Sequence, residues 1–228
     1  MIDLHCHILP GVDDGSASEE ESCMMARLAV DSGVTAVAAT PHCNVPGQFE
    51  NVCSETLRRR FLRLHELLRE QEIPLKLYTG MEVYMTPEVP RLLRQGKLLT
   101  LGGSRYLLVE FGFDESRQFA QRMLDALRGE GVTPVIAHPE RYLYMEEKDY
   151  LLLKEKGYSF QLNLMSLSGY YGPHPKVVSE KLLKQKMYDF VGTDLHHLER
   201  YRPMLDQLRL TRRQLEALEG LIANNARI

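Results

Sequence analysis

Seven short apolar runs rich in β-branched residues alternate with helix-like stretches along this chain: Ile2–His7, Val34–Thr40, Leu75–Glu82, Arg105–Phe111, Val132–His138, Tyr158–Leu164 and Asp189–Asp194. Strand and helix in regular alternation predict parallel pairing, because a parallel neighbour is reached only by a crossover. Seven such units in 228 residues predict an α/β barrel, closed or nearly so, with residues 1–228 as a single domain. Local signals mark the helices between them. Ser18 with Glu21 and Thr211 with Gln214 read as capping boxes, and Ser116 caps a helix reaching Arg128. Leu57, Phe61, Leu64 and Leu68 recur at helical spacing, and Gly33 and Gly96 stand where helices stop. Lys97–Leu101 reads as a small extra strand. A doubly wound open sheet is the alternative, but no GxGxxG follows the first run.

With 28 basic and 31 acidic residues the formal charge is -3, which gives no basic face for nucleic acid. Arg58-Arg59-Arg60 lies on a helical pattern with acids nearby and reads as a solvated face. No apolar stretch approaches the ~20 residues of a membrane helix, and Asp3 and His5 interrupt anything like a signal peptide. The expected location is therefore the cytoplasm. Cys6, Cys23, Cys43 and Cys53, which show no CxxC spacing, are expected as reduced thiols.

In α/β barrels the chemistry sits at the C-terminal ends of the strands. Here those ends carry His5 and His7, His42, Glu82, Glu110, His138, and Asp194 with His196. His5/His7 and Asp194/His196 repeat an i, i+2 spacing that turns two side chains toward one centre. Asp13 and Asp14 follow the first strand in a loop that Pro10, Gly11 and Gly15 fold back over its end. Burying one unpaired polar group at a strand end is costly, and six ends so equipped need an ion to offset that cost. Imidazole with carboxylate suits zinc, manganese or iron(II), and eight or nine donors exceed one ion's needs and fit two or three. His65, His174 and His197 read as surface, loop or supporting residues.

The motifs HCHILPGVDDG, TPH (Thr40–His42), GMEV (Gly80–Val83), VEF (Val109–Phe111), AHPERY (Ala137–Tyr142) and GTDLH (Gly192–His196) resemble those of the polymerase and histidinol phosphatase (PHP) superfamily. More narrowly the chain resembles, over its whole length, the bacterial tyrosine-protein phosphatases of the CpsB/CapC type. The resemblance implies a distorted (β/α)7 barrel with a trinuclear site, manganese first, with iron or zinc as alternatives. It implies one ion held by His5, His7, Glu82 and Asp194, and a second by Glu82, Glu110 and His138. A third would be held by His42, His196 and an Asp of the pair, Asp14 preferred over Asp13. Arg141 resembles the family's phosphate-binding arginine, and Arg202, with Arg200 as rival, a second. The implied reaction is attack on a phosphomonoester by a water that the ions activate, with His196 or Asp194 as candidate proton carriers. The implied partner is a phosphotyrosine protein, the C-terminal tail of a tyrosine autokinase of capsule or exopolysaccharide export.

Three rival readings bear on function. Cys53 to Arg59 satisfies C-x5-R, the loop of cysteine-dependent phosphatases, but its interior is helix-forming and has no glycine to curl around phosphate. A small metabolite such as histidinol phosphate or a nucleotide is the alternative substrate. A metal-bound scaffold without turnover is the non-enzymatic alternative.

Overall fold

The computed structural model describes residues 1–199 and 208–228. Among them nine strands occur: β1 Ile2–Cys6, β2 Ala36–Ala39, β3 His42–Cys43, β4 Lys76–Thr79, β5 Glu82–Tyr84, β6 Tyr106–Glu110, β7 Thr133–Ala137, β8 Ser159–Asn163 and β9 Phe190–Gly192. All their pairings are parallel, in two sheets ordered β1-β2-β4 and β3-β5-β6-β7-β8-β9. The chain after β9 returns to β1: the Asp194 amide donates to the His5 carbonyl at 2.8 Å and the His7 amide to the Leu195 carbonyl at 2.9 Å. The result is a distorted barrel with helices outside it.

The distortion has a local cause. The expected strands Val34–Thr40 and Leu75–Glu82 are each broken, giving β2/β3 and β4/β5. Thr40 turns its hydroxyl to the Cys6 amide at 3.0 Å, and the following Pro41 has no amide to give a ladder. Gly80 lies opposite: a Cβ there would sit 3.1 Å from both Thr40 Cγ2 and Leu101 Cδ2. The lower halves, β2 and β4, join the sheet of β1, and the upper halves, β3 and β5, join the sheet of β6. Lys97–Leu101 is a loop, not the expected strand. Its amides go to the Leu92 carbonyl at 2.9 Å and, from Leu99, to the Met81 sulfur at 3.3 Å. Leu98 is apolar because it is buried in the core.

Seven helices lie among the described residues: α1 Glu19–Asp31, α2 Glu55–Glu70, α3 Val89–Arg94, α4 Arg117–Gly129, α5 Glu147–Glu155, α6 Pro173–Lys184 and α7 Arg212–Asn225. Ser18, Ser54, Ser116 and Thr211 cap theirs with side-chain oxygens, and Thr211 with Gln214 forms the complete box. Leu57, Phe61, Leu64 and Leu68 bury their stripe in the main core, to which Leu107, Val109, Ile136, Phe160 and Leu162 of the strands also belong. The alternate strand residues Leu4, Ala38, Leu108, Val135, Ala137 and Phe190 fill the lower barrel interior as a separate core.

β1 carries one residue more than β2 between Asp3 and Cys6. This bulge lets consecutive Leu4 and His5 both turn inward, Leu4 into the lower core and His5 into the mouth above it. The seam between β1 and β9 is fastened by buried Asn225 at the end of α7. Its Nδ2 donates to the carbonyls of Ile2 and Val191 at 2.8 and 2.7 Å, and its Oδ1 accepts from the Val191 amide at 3.2 Å.

Candidate active site

The eight residues expected at the strand ends and Asp14 of the loop meet in one cluster. Glu82 Oε2 is its centre, 3.0 Å from His42 Nδ1 and 3.3 Å from both His5 Nε2 and His7 Nε2. Asp194 Oδ1 lies 3.3 and 3.4 Å from the same two Nε2 atoms. His138 Nε2 is 2.9 Å from Glu82 Oε1 and 3.6 Å from Glu110 Oε1. His42 Nε2 and His196 Nε2 approach Asp14 Oδ1 at 3.4 and 3.6 Å. His42 also brings Nδ1 to 3.8 Å from Glu110, so it stands between two groups of donors.

The two aspartates of the loop separate cleanly. Asp14 is exposed and faces His42 and His196. Asp13 faces away from the cluster's centre: its Oδ2 accepts from His7 Nδ1 and from the His42 amide, both at 2.9 Å. Gly15 keeps this loop against β1, since a Cβ there would fall 2.3 Å from the His7 carbonyl oxygen.

Whether cations fit is decided by where the protons are. His5 donates Nδ1–H to Gln161 Oε1 at 3.0 Å, His7 donates to Asp13, and His196 donates Nδ1–H to the Asp194 carbonyl at 2.9 Å. With Nδ1 of each ring committed to these partners, the Nε2 atoms turn inward, and those of His5 and His7 face each other at 3.1 Å. Buried His42 Nδ1 and Glu82 Oε2 have no hydrogen-bond partner despite their closeness. Ring nitrogens and carboxylate oxygens converging on one point are what a divalent cation satisfies in place of shared protons. Three sets of donor atoms lie close enough to share an ion: His5, His7, Glu82 and Asp194; His7, Asp14, His42 and His196; and His42, Glu82 and Glu110. The donor set therefore fits metal.

Electrostatics agree. Burial alone would lower the pKa of His5, but Glu82 and Asp194 raise it to about 9. The histidines likewise hold Glu82 and Asp194 far below the usual carboxylate range in spite of burial. Burial and the neighbouring Glu82 charge push Glu110 upward. Two of the residues also hold strained backbone: His138 has φ 32° and Asp194 φ 54°, a region costly for non-glycine residues.

Arg141, on the 3-10 turn Pro139–Arg141, donates from NH1 to Asp194 Oδ2 at 3.1 Å. Its guanidinium lies 4.3 Å from the Tyr171 ring centroid and 4.9 Å from that of Phe113. Two cavities of about 340 and 280 Å3 open on either side of it and share Asp14, Asp194 and His196. Arg200 and Arg202 lie outside the described residues.

Several residues of the site went unforeseen. Gln161 fixes His5 and approaches the His138 amide at 3.4 Å. Asn163 donates to Asp194 Oδ2 at 2.8 Å, and the Tyr171 hydroxyl donates to the same oxygen at 3.2 Å. Glu140 accepts from the Asn163 amide, Ser166 and Tyr188 at 3.0, 2.8 and 2.9 Å, anchoring the turn that carries Arg141. Gln161 and Asn163 were visible as polar residues at alternate positions of an apolar strand. Of the other histidines, His65 and His174 are exposed, and His197 lies 3.3 Å from Glu21.

The C-x5-R reading fails in the structure. Cys53 is buried, Ser54 caps α2, and Arg59 sits on that helix, exposed and paired with Glu55 at 3.1 Å. No phosphate-cradling loop lies between them.

Comparison with known proteins adds independent findings. The family model for capsular polysaccharide synthesis, CpsB/CapC, matches residues 1–227. The tyrosine-protein phosphatase YwqE of Bacillus subtilis is 38% identical over 201 residues, 87% of this chain and 78% of that protein. The tyrosine-protein phosphatase CpsB of Streptococcus pneumoniae is 32% identical over 214 residues, 91% and 87% of the two. A solved structure from work on YwqE and CpsB, described there as unique metal-dependent tyrosine phosphatases, superposes with a TM-score of 0.81 at 33% identity, covering 98% of this chain and 95% of that one. A histidinol phosphate phosphatase from Lactococcus lactis shares the fold at TM-score 0.57 and 16% identity, covering 96% and 93%.

Proposed function

This chain belongs to the CpsB/CapC family of capsular polysaccharide synthesis proteins, and from that premise we propose that it is a metal-dependent protein-tyrosine phosphatase. The observation that carries the reading is Glu82 Oε2, set among three imidazole nitrogens at 3.0–3.3 Å with no hydrogen bond from any of them. His5, His7, Glu82 and Asp194 would hold one cation. Glu82, Glu110 and His138 would hold a second, and Asp14, His42 and His196 a third. Manganese is the ion proposed first, with iron or zinc next. Bound divalent cations supply Lewis-acid activation of water and positive charge against the phosphoryl oxygens.

The chain's own residues do the rest. Arg141 presents a planar fork that grips two phosphoryl oxygens at once. Asp194 holds one end of that fork, and Asn163 and the Tyr171 hydroxyl in turn hold Asp194. Phe113 and Tyr171 pack against the guanidinium and fix its plane. The leaving group is a phenolate of pKa about 10, which departs with less protonation than an alkoxide. His196 and Asp194 line the cavity and are the proton carriers proposed. Arg202 is proposed as a second phosphate contact. The substrate is a phosphotyrosine protein, and the partner proposed is the tail of a cytoplasmic tyrosine autokinase of capsule or exopolysaccharide export.

The test compares chelation with thiol removal. Stripping metal with EDTA is expected to abolish turnover of a phosphotyrosyl peptide, and manganese to restore it, while Cys53→Ser leaves the rate unchanged. Turnover that survives EDTA would remove this function.

A further inference from the structure

Resting on that reading, we infer that Phe49 and Phe113 are the two walls that hold the substrate's phenyl ring, and that they set selectivity for aryl over alkyl phosphomonoesters. The cavity of about 280 Å3 has the charged cluster as its floor, and Val45, Phe49, Tyr84 and Phe113 among its lining. A tyrosyl phosphate carries its ring one oxygen away from phosphorus. The ring must therefore lie beside whatever groups hold the phosphate. The two phenylalanines pack on such groups: Phe49 stacks on His42, with centroids 5.8 Å apart and planes within 8°, and Phe113 lies against Arg141.

Both walls are held in place before any ligand arrives. The Phe49 loop turns at Gly47 and is closed by a bond from the Val45 amide to the Phe49 carbonyl at 2.9 Å. Asn44 ties it to the Tyr84 carbonyl and Thr86 Oγ1, both at 2.9 Å, and Asn51 ties its far end to the His42 carbonyl at 3.0 Å. The Phe113 loop passes so close to Tyr84 that a Cβ at Gly112 would meet the Tyr84 hydroxyl at 2.8 Å. Walls already ordered cost little entropy on binding, so a ring inserted between them gains most of its contact energy. Ring-to-ring contact adds to simple burial, whereas a seryl phosphate offers only a methylene to the same walls.

The experiment uses the manganese-loaded protein, Phe49→Leu and Phe113→Leu, and two peptides of one sequence carrying phosphotyrosine or phosphoserine. Each variant is expected to lower kcat/KM for the phosphotyrosyl peptide about three- to tenfold. The readout is the ratio of kcat/KM on phosphotyrosine to that on phosphoserine, which should fall by the same factor, and Phe→Tyr at either position should restore that ratio. Equal losses on both peptides would overturn the assignment. Phe113 is 43% exposed, so Phe113→Leu decides the matter even if Phe49→Leu fails to fold. An unaltered protein inert toward phosphotyrosine removes the function itself, whereas an active one with an unmoved aryl-to-alkyl ratio removes only the walls.

Discussion

Asp13 and Asp14 are adjacent in sequence and do different work. The difference comes from which neighbour offers a donor. Asp13 meets an imidazole N–H and a backbone N–H, so its charge is spent orienting two histidines from different strands. Asp14 meets only ring nitrogens of His42 and His196 and stays open to the cavity. Asp13→Asn keeps the shape and removes the charge behind His7. It is expected to weaken cation affinity about 10- to 100-fold, read by competition against a chelating dye. Unchanged affinity would show that Asp13 has no hold on the ligand field. The choice between the two aspartates was not legible in the sequence, because one rotation of the loop exchanges their roles. The histidines and carboxylates at strand ends were legible, because charge at the end of an apolar run has few structural explanations. Gln161 and Asn163 were half legible, since their strand phase pointed inward while their residue types suggested no chemistry.

At the scale of elements, the seven-unit alternation foretold the parallel barrel, and helix caps at Ser116 and Thr211 fell where the chain begins its turns. The two broken strands were not foretold. Strand periodicity reports burial and says nothing of which neighbour a strand leaves halfway, and here Thr40, Pro41 and Gly80 decide that through contacts made only in the closed barrel. The extra residue in β1 was hidden for the same reason. β9 approaches β1 through a glycine: a Cβ at Gly192 would lie 2.6 Å from His5 Cβ and 3.1 Å from the His5 amide nitrogen. Gly192→Ala must therefore push two backbones apart at the seam. We expect a loss of about 1–3 kcal/mol in denaturant unfolding, together with weaker cation binding, since His5 moves with its strand. A variant as stable and as metal-avid as the parent would contradict the closeness of this seam.

For the whole molecule, folding gathers carboxylates and imidazoles from residues 5 to 196, and cations bound only by the folded state stabilise it. At a cation concentration 100 times Kd the gain is about 2.7 kcal/mol per site, so chelation should lower the melting temperature. The metal-free protein should also respond to pH in a particular way. His5 has a folded-state value of about 9, above its ordinary 6.5. Its contribution is therefore fully present below about pH 6.5 and is lost as pH rises toward 9. Thermal melts across that window should show the chelated protein losing stability with rising pH, and the manganese-loaded protein losing less. Parallel curves would mean that these imidazoles do not share their place between proton and metal.

The seam fastened by Asn225 also has a consequence for synthesis. His5 and His7 are synthesised well before Asp194 and His196. A growing chain therefore carries half of the donor set until the second half is made. Cation capture by the whole set must wait for that later half, and a pulse of competing metal should mislead newly made chains far more readily than finished ones.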